Sequence, residues 1–171
     1  RDPETFEQFV RDIYIIFSAY RQRSSHYIKY LGDGFLAVAT LGKGHNCHLA
    51  VKFLCELHEL SEQVNRLIDS LPGFPKPQGF RIRVASGQVV RMYAPCGAGD
   101  YVGYAMNLAA RLLRVCPDIP LICHESVKDI IGKKEQITFS KINAHRNILD
   151  GVEQEDLHAL WSFDCGKPKE G

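Results

Sequence analysis

Along residues 3–22 the apolar positions Phe6, Phe9, Val10, Ile13, Ile16 and Phe17 recur at three- and four-residue spacing behind Pro3, which suits a first helical turn. The pattern predicts an amphipathic helix. In HYIKYLGDGFLAVAT two β-rich runs flank Gly32-Asp33-Gly34, a hairpin signal that sets Asp33 at the tip. The stripe Leu49, Phe53, Leu57, Leu60, Val64, Leu67 and Leu71 predicts a long helix over 45–71, stopped by PGFPKPQG at 72–79. A strand over 80–92, a Gly-rich turn over 94–103 and a helix over 104–115 follow. The remainder reads as a strand in PLICHES, a short helix in SVKDIIG with Ser126 as its cap, and strands in QITFSKI and LHALWSF, before a frayed tail at 166–171. Interleaved strands and helices make the class α/β or α+β, with helices covering a sheet.

Composition narrows the picture. With 171 residues, 45% of them hydrophobic, the chain is expected to form one domain over 1–165 without help from disulfides. Lys plus Arg (21) nearly balance Asp plus Glu (20), so no global field draws the protein to nucleic acid or to a membrane, and neither is expected as a partner. Any phosphate must be held by a local site. The cysteines are scattered with no C-x-x-C pair, as expected of a reducing cytosol, and no apolar run approaches the roughly 18–20 residues of a membrane span. A soluble, cytoplasmic protein is expected.

Taken singly, the polar candidates have plain explanations. Gly32-Asp33-Gly34 is first a turn, Lys29 an edge charge, and Gly99 to Gly103 a loop before a helix. Asn107 and Arg111 stand one helical turn apart and share a face. Asn107 lies amid Ala105, Met106, Leu108, Ala109 and Ala110, where a buried amide demands a polar partner. His45, Cys47, His48, Cys55 and His58 read as packing and capping residues rather than a zinc set.

Together these segments carry a resemblance. Asp100-Tyr-Val-Gly103-Tyr-Ala-Met-Asn107-Leu-Ala-Ala-Arg111 resembles the segment of class III adenylate and guanylate cyclases in which Asp, Gly, Asn and Arg recur at these intervals. Lys29-Tyr-Leu-Gly32-Asp33, followed by Ala37, resembles the family's Lys-x-x-Gly-Asp hairpin, and residues 81–90 its preceding strand. The likeness runs from Pro3 to Phe163. It implies a ferredoxin-like fold, a mainly antiparallel sheet covered by helices, and an enzyme converting a nucleoside triphosphate to a 3′,5′-cyclic nucleotide and pyrophosphate. By the same resemblance Asp33 is one of two aspartates holding two divalent cations, Mn²⁺ or Mg²⁺. Lys29 and Asp100 contact the base, Asn107 orients the ribose, and Arg111 binds phosphate oxygen. The family's sites lie between the protomers of a dimer, so Asp33 of one protomer is expected to face Lys29, Asp100, Asn107 and Arg111 of its twin. Tyr27, Tyr30, Tyr101 and Tyr104 flank the base pocket in sequence.

The chain also departs from the family pattern. The strand bearing the other metal-binding Asp is expected upstream of Arg1. Leu149-Asp150-Gly151-Val152 puts an acid where the family has Lys-Gly, leaving Lys141 or Arg146 to meet the triphosphate. The Lys29 and Asp100 pair resembles the adenine-selective pattern, which implies an adenylate cyclase. The segment from Asp100 into PDIPLICHES is similar to the pyrimidine cyclases of bacterial Pycsar anti-phage systems, which make cyclic UMP or cyclic CMP, and a pyrimidine is the favoured substrate. The competing class is an inactive cyclase-like domain that senses nucleotide or dimerises. An RNA-binding ferredoxin-like domain finds little support, since the basic residues are not clustered.

Overall fold

The computed structural model describes residues 3–24, 26–31, 34–42, 46–70, 79–93, 99–132, 137–143 and 154–166. The chain folds as two compact units, Arg1–Phe80 and Arg81–Gly171.

The first unit holds α1 (Pro3–Arg23), β1 (Tyr27–Tyr30), β2 (Phe35–Val38) and α2 (Cys47–Ser70). Asn46 starts α2, its Oδ1 accepting from the amides of His48 (3.1 Å) and Leu49 (3.3 Å). The buried face of α2 is Ala50, Val51, Leu54, Leu57, Leu60, Ser61, Val64 and Ile68. This stripe is rotated from the expected one, so Leu49 turns outward. α1 packs on α2 and buries Phe17 and Tyr20. Phe17 anchors an aromatic cluster, its ring 5.0 Å from Phe35, 5.7 Å from Phe80 and 6.5 Å from Tyr30. The hairpin forms as the sequence predicts: β1 and β2 run antiparallel with Tyr30 opposite Phe35 and Lys29 opposite Leu36, and the Leu31 amide donates to the Gly34 carbonyl.

The second unit holds β3 (Ile82–Val84), β4 (Val90–Tyr93), β5 (Gly99–Val102), α3 (Tyr104–Leu112), β6 (Leu121–His124), α4 (Glu125–Ile131), β7 (Ile137–Lys141), α5 (Gln154–His158) and β8 (Leu160–Cys165). Four strands form one sheet in the order β3-β6-β8-β7; β3 and β6 are parallel and the other pairs antiparallel. β4 and β5 make a separate hairpin with Arg91 opposite Tyr101 and Met92 opposite Asp100. Leu108 and Leu112 of α3 join Val115, Ile122, Ile142, Leu157 and Leu160 in one buried cluster. The result is the expected mixed α and β fold with mainly antiparallel strands and covering helices. No helix among the described residues is long and apolar enough to cross a membrane.

Four local readings are corrected. The strand expected over 80–92 is two strands, broken where Ser86 bonds to Ser126 instead of to a neighbouring strand. The turn expected over 94–103 contains β5, because cross-strand pairing with β4 overrides the poor β-propensity of Gly99 and Asp100. LHALWSF opens inside α5, and its strand begins only at Leu160. The cap of α4 is His124, whose ring accepts from the Ser126 amide. The tail beyond residue 166 and the segment 144–153, with Arg146 and Asp150, lie outside the described residues.

Candidate functional site

Three of the expected site residues stand on one strand-to-helix segment, β5 to α3. Asp100 is half-buried on β5, and its Oδ1 accepts from the Tyr101 amide at 2.8 Å. Gly103 then turns the chain into α3 and accepts from the Asn107 amide at 3.2 Å. A Cβ at Gly103 would lie 2.6 Å from the Gln88 carbonyl oxygen and 3.0 Å from Val89 Cα. Its φ of 166° is ordinary extended backbone, so the glycine is required by space rather than by dihedral angle.

α3 buries Ala105, Leu108 and Leu112. At the helical period Asn107 and Arg111 fall on the opposite side, and both are exposed. The polar partner expected for Asn107 would therefore meet it from the solvent side. Ala105 and Leu108 point inward while the amide is exposed. Asn107 and Arg111 share one accessible face, the arrangement needed to meet a ligand from solvent.

Sequence reasoning missed the residue that holds the far end of this helix. Arg83 on β3 is 8% exposed, and its guanidinium donates, among the described residues, to backbone carbonyls: Nε to Leu112 (3.0 Å), Nη1 to Ile82 and Pro120 (3.0 Å each), and Nη2 to Val115 (3.0 Å) and Cys116 (3.1 Å). These include the C-terminal carbonyl of α3 and those of the following turn, where helix partial charge is negative and favours a cation. Burial, reinforced by the Arg81 charge and opposed by Cys116, pushes the guanidinium down to about 10, so it stays cationic at neutral pH. An Arg amid apolar strand positions is the only signal the sequence offered.

The near end of α3 is held by side chains. The Tyr104 hydroxyl donates to Asp156 Oδ2 at 2.5 Å, Asp156 Oδ1 lies 3.4 Å from His124 Nε2, and His124 Nδ1 lies 2.9 Å from Ser126 Oγ. Ser126 Oγ in turn accepts from the Ser86 amide and meets the Ser86 carbonyl, both at 3.2 Å.

Lys29 is exposed on β1, in the first unit, whereas Asp100, Asn107 and Arg111 belong to the second. Asp33, the expected metal ligand, lies outside the described residues. No group of three or more His, Cys, Asp or Glu among the described residues gathers to hold an ion, so those residues alone do not build the metal centre. Of the tyrosines expected around the base, Tyr30 packs on Tyr14 and Phe17, Tyr104 bonds to Asp156, and Tyr101 lies 5.9 Å from the Arg91 guanidinium carbon. The Lys141 ammonium, an expected triphosphate ligand, sits 4.7 Å from the Trp161 ring centre, and Lys128 sits 3.5 Å from it.

No protein-family model matches the chain, and no curated protein matches it either. Solved structures do. The guanylyl cyclase Cya2 superposes with a TM-score of 0.63 at 12% identity, over 99% of this chain and 86% of that one. The guanylate cyclase domain of RhGC from Catenaria anguillulae, in complex with GTP, gives 0.56 at 15% identity over 98% and 87%. The chain has a nucleotidyl cyclase fold. A bacterial light-regulated adenylyl cyclase shares it with a TM-score of 0.52 at 21% identity, over 94% of this chain and 43% of the larger protein. Within the cyclase fold the segment from Asp100 to Arg111 occupies a strand, a glycine turn and a solvent-facing helix.

Proposed function

We propose that the chain is a nucleotidyl cyclase, converting a nucleoside triphosphate to its 3′,5′-cyclic monophosphate and pyrophosphate in a homodimer with shared sites. The observation that carries this reading is the outward face of α3. Asn107 and Arg111 stand exposed one turn apart, beyond a glycine that admits no side chain, in a cyclase fold.

The chemistry follows from the residue types. Arg111 presents a planar fork of donors to phosphate oxygens whose charge grows as the α-phosphorus is attacked, a preorganised interaction typically worth several kcal/mol. Asn107 both donates and accepts, which suits it to hold the ribose against that phosphorus. Lys29 and Asp100 carry a donor and an acceptor for the base edge. Asp33, with an aspartate upstream, is proposed to hold two divalent cations, Mn²⁺ or Mg²⁺, which when bound would supply a lowered pKa at the 3′-hydroxyl.

The homodimer reading has support from the β4-β5 hairpin. Val90, Met92 and Tyr93 are 63%, 54% and 66% exposed, and Val102 is 46% exposed. A strand of large apolar side chains left in water marks an interaction surface, and a second copy is the occupant that shared sites require.

For the base we favour a pyrimidine, giving a uridylate or cytidylate cyclase of the kind that signals in anti-phage defence, on the likeness of the segment from Asp100 into residues 117–126. Adenine is the second reading, supported by the Lys29 and Asp100 pair. The test is to offer the full-length protein each of the four triphosphates with Mn²⁺ and to measure pyrophosphate release. One preferred base is expected. Silence with all four leaves the inactive cyclase-like domain that senses nucleotide or dimerises.

A further inference from the structure

Five residues from four segments form one line of polar contacts through the second unit: hydrogen bonds join Tyr104 to Asp156 and His124 to Ser126 and the Ser86 backbone, and His124 Nε2 lies 3.4 Å from Asp156 Oδ1. It joins the first residue of α3 to α5, to the end of β6, to the start of α4 and to the break between β3 and β4. The His124 and Asp156 side chains are only 17% and 15% exposed, so their interaction is shielded from water on most sides. An amide N–H can only donate. The Ser126 amide, 3.2 Å from His124 Nδ1, therefore assigns that nitrogen as acceptor and leaves the Nε2 proton facing Asp156. The single Ser126 hydroxyl proton goes either to the Ser86 carbonyl oxygen or to Nδ1, and in both cases the His124 proton stays on Nε2.

A serine, a histidine and an aspartate in line also raise a hydrolase triad. The geometry argues against it. The Nδ1 lone pair that would take the serine proton already accepts from the Ser126 amide, and Ser126 Oγ is itself engaged by Ser86.

We infer that this line is a strut that sets the position of the α3 N-terminus, and that Tyr104 and Asp156 are positioning residues for Asn107 and Arg111. Asn107 lies one turn beyond Tyr104, and its amide donates to the Gly103 carbonyl. A tilt of the first turn moves both site side chains relative to anything they hold. Tyr104 is 60% exposed, and the bond from its hydroxyl to Asp156 ties the outer end of the side chain to α5. The effect on turnover rests on the cyclase reading; the effect on α3 does not.

The experiment uses full-length Tyr104→Phe, Asp156→Asn and the double variant, with two readouts. Amide hydrogen exchange over residues 104–112 is expected to accelerate by about tenfold in each variant, no further in the double, and to stay unchanged in α2. Steady-state kinetics are expected to show kcat down about tenfold with KM changed less than about twofold, because geometry rather than contact is lost. Unchanged exchange in α3 overturns the strut, as does exchange that accelerates uniformly across the second unit, which would report general destabilisation. If the wild-type protein forms no cyclic product, the cyclase reading fails and the exchange data still decide the strut. If the wild type is active and only the exchange result is negative, the strut alone fails.

Discussion

Arg83 on β3 and Leu112 at the end of α3 are joined by a buried hydrogen bond of 3.0 Å from Nε to the carbonyl oxygen, one of five such bonds from a single guanidinium. No carboxylate is among these partners. The fork of an arginine matches several carbonyls at once, and a lysine cannot reproduce it. Arg83→Met, which keeps much of the volume, is expected to lower stability by about 2–4 kcal/mol in urea titration, with Arg83→Lys recovering less than about half of the loss. A loss below about 0.5 kcal/mol for Arg83→Met would show that the carbonyls find other partners.

Gly103 tests the other end of the same helix. A methyl group there meets the Gln88 carbonyl oxygen at 2.6 Å, a backbone atom that cannot rotate away. Gly103→Ala is expected to cost about 1–3 kcal/mol in thermal unfolding. An unchanged melting temperature would mean that residues 88–89 move freely to make room.

Arg111 is exposed on the outward face of α3, and its replacement by lysine keeps the charge there. Arg111→Lys is expected to reduce kcat at least about tenfold while KM changes by less than about threefold, since the ammonium keeps the charge and loses the fork. An effect confined to KM would place Arg111 in ground-state binding.

Alkaline stability follows from Cys123, which is fully buried on β6. Burial pushes its thiol from 9.0 up to about 12, against the opposing charge of Lys128. Between these values the unfolded chain loses the proton while the folded chain keeps it, so stability falls as pH rises above 9. By pH 10 the loss from this group is about 1 kcal/mol. Thermal melts of wild type and Cys123→Ala from pH 8 to 10 should show a flatter decline in the variant. Parallel curves would contradict the assignment.

Much of this was legible in the chain. The helices of the first unit and the hairpin at 27–38 are written in three-and-four and alternating patterns, and local signals of that kind survive folding. Asp100, Asn107 and Arg111 could be grouped from the sequence because they lie on one short segment. β5 was not, since Gly99 and Asp100 form a strand only through β4. Arg83, His124 and Asp156 were missed as working residues because each works through a partner far along the chain, Leu112 for Arg83 and Tyr104 for Asp156 among them. The helical phase, taken against Leu108 and Leu112, places Asn107 outward.

The central claim, that Asp33 of one protomer serves Asn107 and Arg111 of another, is tested most directly by co-expressing full-length Asp33→Ala with full-length Arg111→Ala. Each variant alone is expected to be inactive. Mixed dimers carry one site with both residues intact, so cyclic nucleotide formation should return to about one quarter of the wild-type rate. Dimers that contain both chains and form no product would contradict the account.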